Sequence, residues 1–584
     1  MIKIIFYDFE VFKYDWLVVL INPDKRTEEV IVNDAKALTK YYEANKEDIW
    51  TGYNSNYYDQ FILRGIMCGF NPKKVNDWII VKQKSGWQFS SMFYKIPLLS
   101  YDVMLSSYSL KQLEGFMGNA IKETSVPFDI DRKLTDAEIA ETVKYCKSDV
   151  YNTIEVFMQT LDDFKSKITL IKQFELPLKY ISKTKAQLAA EILGCEKTPY
   201  NDEFDFIIED YIELRRYKHL YNWFVNMKTS DKNVNPDEFY SNNLECIISG
   251  VEHKIGWGGI HGAKKGYHFR TGKGRVCFHV DVTSYYPSYL IAKNRITRSA
   301  KYPERYKWSY EYQKDLKKQG KKAERLPYKL FLNSLSGAMK DKTNKAYDPC
   351  MNNTMVVNCQ LSAIMLIEML EVIPGFELVQ SNTDGLIVTI PDTDKAFQML
   401  DDICYDWERI CSTDEAWVEL EFEEIEYIYQ KDVNNYLFKL AGSDKIVRIG
   451  QLKHLSELDN NLPIVNTAIV NYLTKGIPPE TTILFCDDLK QFQMICKISS
   501  KYKCLIHNGK ELSEKCVRVF ASKYNDGGLY KLHQNKDKPD KFPSTPENCF
   551  IVNDDVNNMS VPAKLDRQFY INMAKERLSG YGIG

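Results

Sequence analysis

None of the 14 cysteines stands in a Cys-x-x-Cys pair, and none of the 8 histidines falls at metal-finger spacing, which argues against a structural zinc module. Unpaired thiols in this number suit a reducing cytoplasm. No apolar run reads as long enough to span a bilayer, and the opening MIKIIFYDFE lacks the layout of a signal peptide. Internal repeats and long low-complexity tracts are also missing. Charge is nearly balanced, at −2 overall, so any nucleic-acid surface has to be a local patch. What remains is a globular composition, 44% hydrophobic and 27% charged over 584 residues, long enough for several domains.

The stretch Val276 to Leu290, VCFHVDVTSYYPSYL, reads as a short strand ending in Asp281, then an aromatic turn and a helix entered at Pro287. Val276, Phe278 and Val280 alternate as strand residues do. Proline suits a helix's first turn, where its missing N–H has no partner to lose. Further on, FELVQSNTDGLIVTI, Phe376 to Ile390, reads as a β-hairpin around Asp-Gly. Asp384 is then either the residue the turn needs or a carboxylate facing Asp281. Two carboxylates brought close repel and call for cations. Two Mg²⁺ ions about 3.5–4 Å apart would bridge them and hold a triphosphate.

Between these acids, LPYKLFLNSLSGAMK, Leu326 to Lys340, reads as a helix started by Pro327. Lys329, Asn333 and Gly337 fall four apart on one face. A lysine there can grip phosphate oxygens, and a glycine lets a flat group approach the backbone. From Gln313 to Lys345 ten Lys or Arg meet three acids, a local +7. The segment reads as two short helices, with Arg325 and Lys329 the candidates for a triphosphate and Arg325 placed ahead of the second helix by Pro327.

At the amino end, IKIIFYDFEVF reads as a strand on which Asp8 and Glu10, two apart, share a face. TGYNSNYYDQFILRGI reads as a loop entering a helix, with Asp59 near its start, where it is also placed to cap that helix. An amphipathic helix from about Thr135 to Leu161 puts Tyr145 and Asp149 on one face. Residues 161 to about 250 read as mostly helical and carry no evident chemistry. GWGGIHGAKKGYHF, Gly256 to Phe269, reads as a loop in which glycines and basic residues interleave with aromatics. It is either a flexible linker or a loop tracking a sugar-phosphate chain. After the hairpin come a helix at about Lys395 to Cys411 and strands from Trp417 to Leu440. The remainder is mixed, with an amphipathic AIVNYLTKG and a final helix, LDRQFYINMAKERL.

In this order the stretches resemble the motifs of family B DNA polymerases. DFE, NSNYYD and YCKSD are similar to the proofreading exonuclease motifs DxE, Nx₃(F/Y)D and YxxxD. DVTSYYPS, KLFLNSLSG and NTDG are similar to DxxSLYP, KxxxNSxYG and DTDS. The second set departs from the family at Tyr285 for leucine, Ser336 for tyrosine, Asn382 for aspartate and Gly385 for serine. Gly256–Phe269 resembles the family's YxGG location, with Gly256 at the tyrosine position. Near EYIYQKDVNNYLFKL the family has KxY, matched by Tyr436, with Asn434 where lysine is expected and Lys431 nearby.

The resemblance implies a multidomain α/β chain, an RNase H-like exonuclease domain followed by a right-hand polymerase. The expected layout is exonuclease 1–165, helical connector and template-binding loop 166–275, palm 276–301 and 346–440, fingers 302–345, and thumb with the carboxy-terminal region 441–584. It implies template-directed extension of a primer by dNTPs, with 3′→5′ proofreading. Asp281 and Asp384, with the Val282 carbonyl, would hold two Mg²⁺, with Mn²⁺ a substitute. Asp8, Glu10, Asp59 and Asp149 would hold two more, with Tyr145 orienting the attacking water. Lys329, Arg325, Asn333, Ser284 and Tyr286 would bind the nucleotide, with Tyr286 excluding a 2′-hydroxyl. Asn54, Lys431 and Tyr436 would touch DNA. Asp281 to Lys329 spans only 48 residues and Asn333 to Asp384 only 51. That leaves no room for the insertions of protein-primed phage enzymes, which also lack a domain ahead of the exonuclease. The expectation is therefore a monomeric, nucleic-acid-primed phage or mobile-element enzyme in the host cytoplasm, served by a helicase, single-strand-binding protein or clamp and not by a membrane. Two other readings stand beside it: a DEDD-type nuclease whose degenerate palm only binds DNA, and a non-catalytic replication scaffold.

Overall fold

The computed structural model describes residues 3–105, 107–229 and 233–583. They form two compact units: residues 1–182 with 455–574, and residues 183–454 with 575–584. The break points differ from the expected layout at both ends. The first unit runs past residue 165, and most of the stretch expected as thumb groups with the amino-terminal residues, its strands packing on the helix Leu110–Met117.

In the first unit the strands Thr27–Val32, Trp16–Asn22, Ile4–Val11, Ile49–Gly52 and Ser100–Asp102 lie side by side in that order. The first three are antiparallel; the last two run parallel to Ile4–Val11. Ile5, Tyr7, Phe9 and Val11 enter a core with Leu38, Tyr42, Trp50 and Phe61. The alternate residues Phe6, Asp8 and Glu10 therefore face the helix Asp136–Gln159, where Phe6 meets Phe157 edge-on at 5.3 Å. That helix starts in a capping box between Thr135 and Glu138. The carboxy-terminal part adds a three-stranded sheet ordered Met494–Lys497, Cys516–Ala521, Cys549–Ile551, a separate four-stranded sheet, and the helix Pro463–Lys475.

The second unit is built on a ten-stranded antiparallel sheet. From Leu420–Asp432 to one edge its strands run Leu420–Asp432, Arg275–Val282, Gly385–Pro391, Glu377–Ser381, Gly259–Ala263, Val251–Gly256 and Asn243–Ile248. The glycine-rich stretch expected as a loop is thus mostly strand, Gly259–Ala263 and Tyr267–Arg270, joined by a turn. Hairpin pairing with Val251–Gly256, and pairing with Gln380–Ser381 and Tyr427–Gln430, override its glycine content. Residues 161–250 are likewise less helical than expected: the helices Leu161–Gln173, Lys185–Ile192 and Lys218–Met227 are separated by irregular chain, and the segment ends in the strand Asn243–Ile248.

The basic segment forms a helical hairpin, Glu304–Lys318 and Lys322–Lys340, of 15 and 19 residues. Pro327 lies inside the second helix and does not start it. An interior proline costs about 3 kcal/mol, and burial of Tyr328, Phe331, Leu332 and Leu335 offsets it. Arg325 is consequently helical, one turn ahead of Lys329. A further helix, Pro349–Leu370, is by length and hydropathy able to cross a bilayer, contrary to the expectation that no such run exists. Nearly all of it is buried within the protein. Its amide side chains bond both within the helix and across to other segments: Asn358 donates to the Thr354 and Ile207 carbonyls at 2.7 Å, and Gln360 donates to the Val356 and Gly256 carbonyls at 3.0 Å.

Candidate active sites

In the first unit, Asp8 and Glu10 stand with Cys146 so that one ligand atom from each lies within 4.8 Å of the others. Asp59 is the first residue of its helix and not the cap, which is Tyr58. Its Oδ1 accepts the Phe9 N–H at 3.0 Å, which ties it to the strand between Asp8 and Glu10. Asp149, on the long helix, is held by Lys111 Nζ at 2.5 Å and hydrogen-bonded to Tyr145. Burial raises every one of these carboxyls. Asp59 and Asp149 add to the shift at Asp8, and Asp8, Asp149 and Asp59 add to it at Glu10. Asp59 is pushed up to about 7 by burial, against two backbone N–H groups. At Asp149 burial outweighs the opposing charge of Lys111. Four acids thus converge with one neighbouring cation, and their negative charge is under-compensated. Oxygen ligands in that state fit a hard divalent cation.

Three participants were not found from sequence. Lys111 spans Asp149 and Glu114 (3.1 Å) and lies 4.6 Å from the Tyr145 ring centre. Burial works against its charge, yet Asp149 and Glu114 raise its pKa. Glu114 is fully buried, is pushed up to about 8 by burial against Lys111, and has its second oxygen without a hydrogen-bond partner. Cys146 donates to Asp8 Oδ2 at 3.4 Å. A glutamate on the apolar stripe of LKQLEGFM is the sequence signal that could have pointed here. Asn54 adopts the left-handed conformation (φ +61°), with its N–H given to Asp102 Oδ1 at 2.9 Å, so that this turn is fixed from below.

In the second unit the hairpin tip is Thr383–Asp384, closed by the Asn382 N–H on the Gly385 carbonyl at 2.8 Å. Asp281 lies directly across from Gly385, and the Val282 N–H donates to the Asp384 carbonyl at 2.7 Å. A side chain at 385 would begin 3.0 Å from Asp281 Oδ1, so glycine leaves that carboxylate its room. A cavity of about 530 Å³ is lined by Asp281, Val282, Ser284, Tyr286, Arg325, Lys329, Asn333 and Asp384. Eight residues proposed from separate stretches of sequence therefore meet in one place. Ser284 is left-handed (φ +49°), and Gln313 joins it to Arg325: Gln313 Nε2 donates to Ser284 Oγ at 3.4 Å, and Arg325 Nε donates to Gln313 Oε1 at 2.8 Å.

Burial first, then the charges of Asp384, Glu421 and Glu423, push Asp281 up to about 7, with Lys317 opposing. Glu421, opposite Asp281 on the neighbouring strand, is a third cavity acid that sequence reading missed. It pairs with Lys317, also in the cavity, and two further pairs, Lys314–Glu419 at 3.6 Å and Lys307–Glu415, link the same helix to residues 415–421. Burial lowers the His261 pKa against the pull of Asp384, which places this histidine of the glycine-rich stretch near the cavity acids.

The two weakest candidates sit differently. Strand alternation turns Tyr436 inward with Phe438 and Leu440, so it belongs to the core and not to an exposed DNA-contact surface. Its hydroxyl reaches Asn382 and Gln380. The stem of Lys431 packs on Gly580.

No family model matches the chain, and no curated protein matches it. Among solved structures it is similar to the family B DNA polymerase from the hyperthermophilic archaeon Pyrobaculum calidifontis. The identity is 12% and the TM-score 0.42, and the match covers 100% of this chain and 78% of that one.

Proposed function

We propose that this chain is a family B-like DNA polymerase with a 3′→5′ proofreading nuclease, acting on primer-template DNA and dNTPs. The carrying observation is the cavity in which Asp281 and Asp384 face Arg325, Lys329 and Asn333. One wall is anionic, the other cationic, and the space between suits a metal-bound triphosphate. Asp281, Asp384 and the Val282 carbonyl would hold divalent metal, Mg²⁺ by preference. Such ions, when bound, neutralise developing phosphate charge and activate an oxygen nucleophile. The protein's own part is placement. Arg325 and Lys329, one turn apart, hold the β- and γ-phosphate oxygens. Asn333 extends that row, and Ser284, fixed through Gln313, holds the turn below it. Tyr286 floors the sugar and rejects a 2′-hydroxyl. The primer 3′-oxygen then bonds to the α-phosphorus as the bond to pyrophosphate breaks.

At the second centre Asp8, Glu10, Asp59 and Asp149 would hold the metals, and Tyr145 would orient the water that replaces the terminal nucleotide. We assign the chain to a nucleic-acid-primed phage or mobile-element system with weak strand displacement. The short helical hairpin and the single helix between it and the Asp384 hairpin support that assignment.

A labelled primer-template with Mg²⁺, with and without dNTPs, tests the whole reading. Extension with dNTPs and shortening without them is the expected result. Shortening in both lanes would leave only the nuclease, and no change in either would overturn the proposal. A duplex block downstream tests the system assignment: extension far into it without a helicase would refute weak displacement.

A further inference from the structure

Lys111 and Glu114 sit on a helix of eight residues, Leu110–Met117, too short to be stable alone. Its last carbonyls need partners, and the chain supplies them from more than 340 residues away. Arg518 Nη2 donates to Gly115 O at 3.1 Å and to Asn119 O at 2.7 Å. Gln493 and Asn460 both donate to Phe116 O, at 3.1 and 3.3 Å. Lys490 Nζ donates to Met117 O at 2.7 Å, and the Val556 N–H donates to Gly118 O at 2.9 Å. At the other end, Cys516 Sγ reaches Lys111 O at 3.6 Å. A side chain on Gly115 would begin 2.8 Å from Ile495, so glycine is what lets the strand Met494–Lys497 come this close.

Arg518 is the centre of the arrangement. It is 0% exposed, and its remaining donors go to Gln493 Oε1 at 3.1 Å, Val552 O at 3.3 Å and Asp554 O at 2.7 Å. Two cations, Arg518 and Lys490, thus lie at the helix's carboxy end, where its dipole favours them.

We propose that residues 490–556 are the positioning scaffold of the nuclease centre, with Arg518 the positioning residue that, through the Leu110–Met117 helix, aims Lys111 at Asp149. The inference rests on the nuclease reading above. Arg518 is fully buried under the helix and hydrogen-bonds to none of the four acids, although the Glu114 charge reaches it, so its effect falls on turnover and not on DNA binding. A free-standing thumb at these residues would have no such effect.

The test is Arg518→Met in the full chain. Nuclease kcat should fall about 10- to 100-fold, with KM for the DNA end and the rate of primer extension within about two-fold of the parent. Arg518→Lys, which restores one donor, should recover part of the loss. Amide exchange should accelerate in 110–119 and stay unchanged in 4–11 and 49–52. Should Arg518→Met fail to fold, Lys490→Met removes the cap on Met117, together with bonds to Glu457 and Asn557, and should show the same pattern more weakly. Unchanged kcat, a loss carried by KM, or exchange accelerated throughout the first unit would each overturn the proposal. A parent chain without nuclease activity would overturn the nuclease reading instead, and the exchange pattern would still decide the positioning role.

Discussion

Asp281→Asn should stabilise the metal-free protein, and by an amount that depends on pH. The folded chain holds the Asp281 proton up to about 7, against an ordinary value of 3.8. A raised folded value means that the folded state binds the proton more tightly than the unfolded state between roughly pH 4 and 7. Stability is therefore fully present below pH 4, is lost as pH rises through that window, and levels off above it. Three pKa units at about 1.4 kcal/mol each give roughly 4 kcal/mol as an upper bound, and solvent relaxation brings the expectation to about 2–4 kcal/mol. Asparagine keeps the shape without the charge, so the variant gains that amount at pH 8.5. The gain should grow by about 1.4 kcal/mol per pH unit from pH 5 to 6.5 and stay flat above pH 8. Thermal melts in EDTA would show it as an upward shift of roughly 3–7 °C at pH 8.5 in the second unit's transition. Asp59→Asn, also pushed to about 7 and with its bond to Phe9 kept by an amide oxygen, should move the other transition. A pH-independent gain would mean that shape, not charge, is responsible. A loss of stability at pH 8.5 would refute the claim that these acids repel.

The remaining predictions concern activity and packing. Asp384→Asn should reduce primer extension at least roughly a thousandfold and leave the shortening of a primer end intact, and Asp8→Ala should do the reverse; a folded variant that loses both, seen on the same gel, would break the two-centre assignment. Lys111→Met removes one partner of an ion pair whose side chains are only 15% and 11% exposed, so denaturant melts should show the first unit losing about 3–5 kcal/mol. Adding Asp149→Asn should return part of that loss, and no recovery would mean that Asp149 is not the stranded charge. Gly337→Ala meets no atom within 4 Å and improves an interior helix position, so stability should rise by up to about 1 kcal/mol. If a template base passes over that glycine, extension should nevertheless slow severalfold, and an unchanged rate would remove the base from that face.

What could be read in the chain beforehand was whatever local chemistry dictates. Alternation in IKIIFYDFEVF puts Asp8 and Glu10 on one face whatever the strand later packs against. The hairpin read at Asp-Gly forms, with Thr383–Asp384 at its tip and Gly385 opening the next strand, and Lys329 and Asn333 share a helix face by spacing alone. The misreadings came where burial or strand pairing overrides residue preference. Pro327 reads as a helix start, but the apolar face after it buries well enough to carry the proline inside. The glycines of GWGGIHGA read as a loop, but they turn a local hairpin in which Gly259–Ala263 pairs with Val251–Gly256, and Glu377–Ser381 extends the sheet beyond it.

A residue at odds with its local pattern would have been a sounder guide than composition. Glu114 interrupts the apolar stripe of its helix, and Arg518 stands in the middle of CVRVFA, a strand buried along its whole length. Each is a charge that a hydrophobic element would not tolerate without a partner elsewhere, and each finds partners at the helix Leu110–Met117. Glu421 gave no comparable signal, because it lies among glutamates on a half-exposed strand, and only the register that sets it opposite Asp281 makes it a cavity acid. The difference is physical. An out-of-place charge in an apolar element must find compensation, so the sequence announces that a partner exists without naming it. A charge in a polar setting needs none, and only the folded register can give it a role.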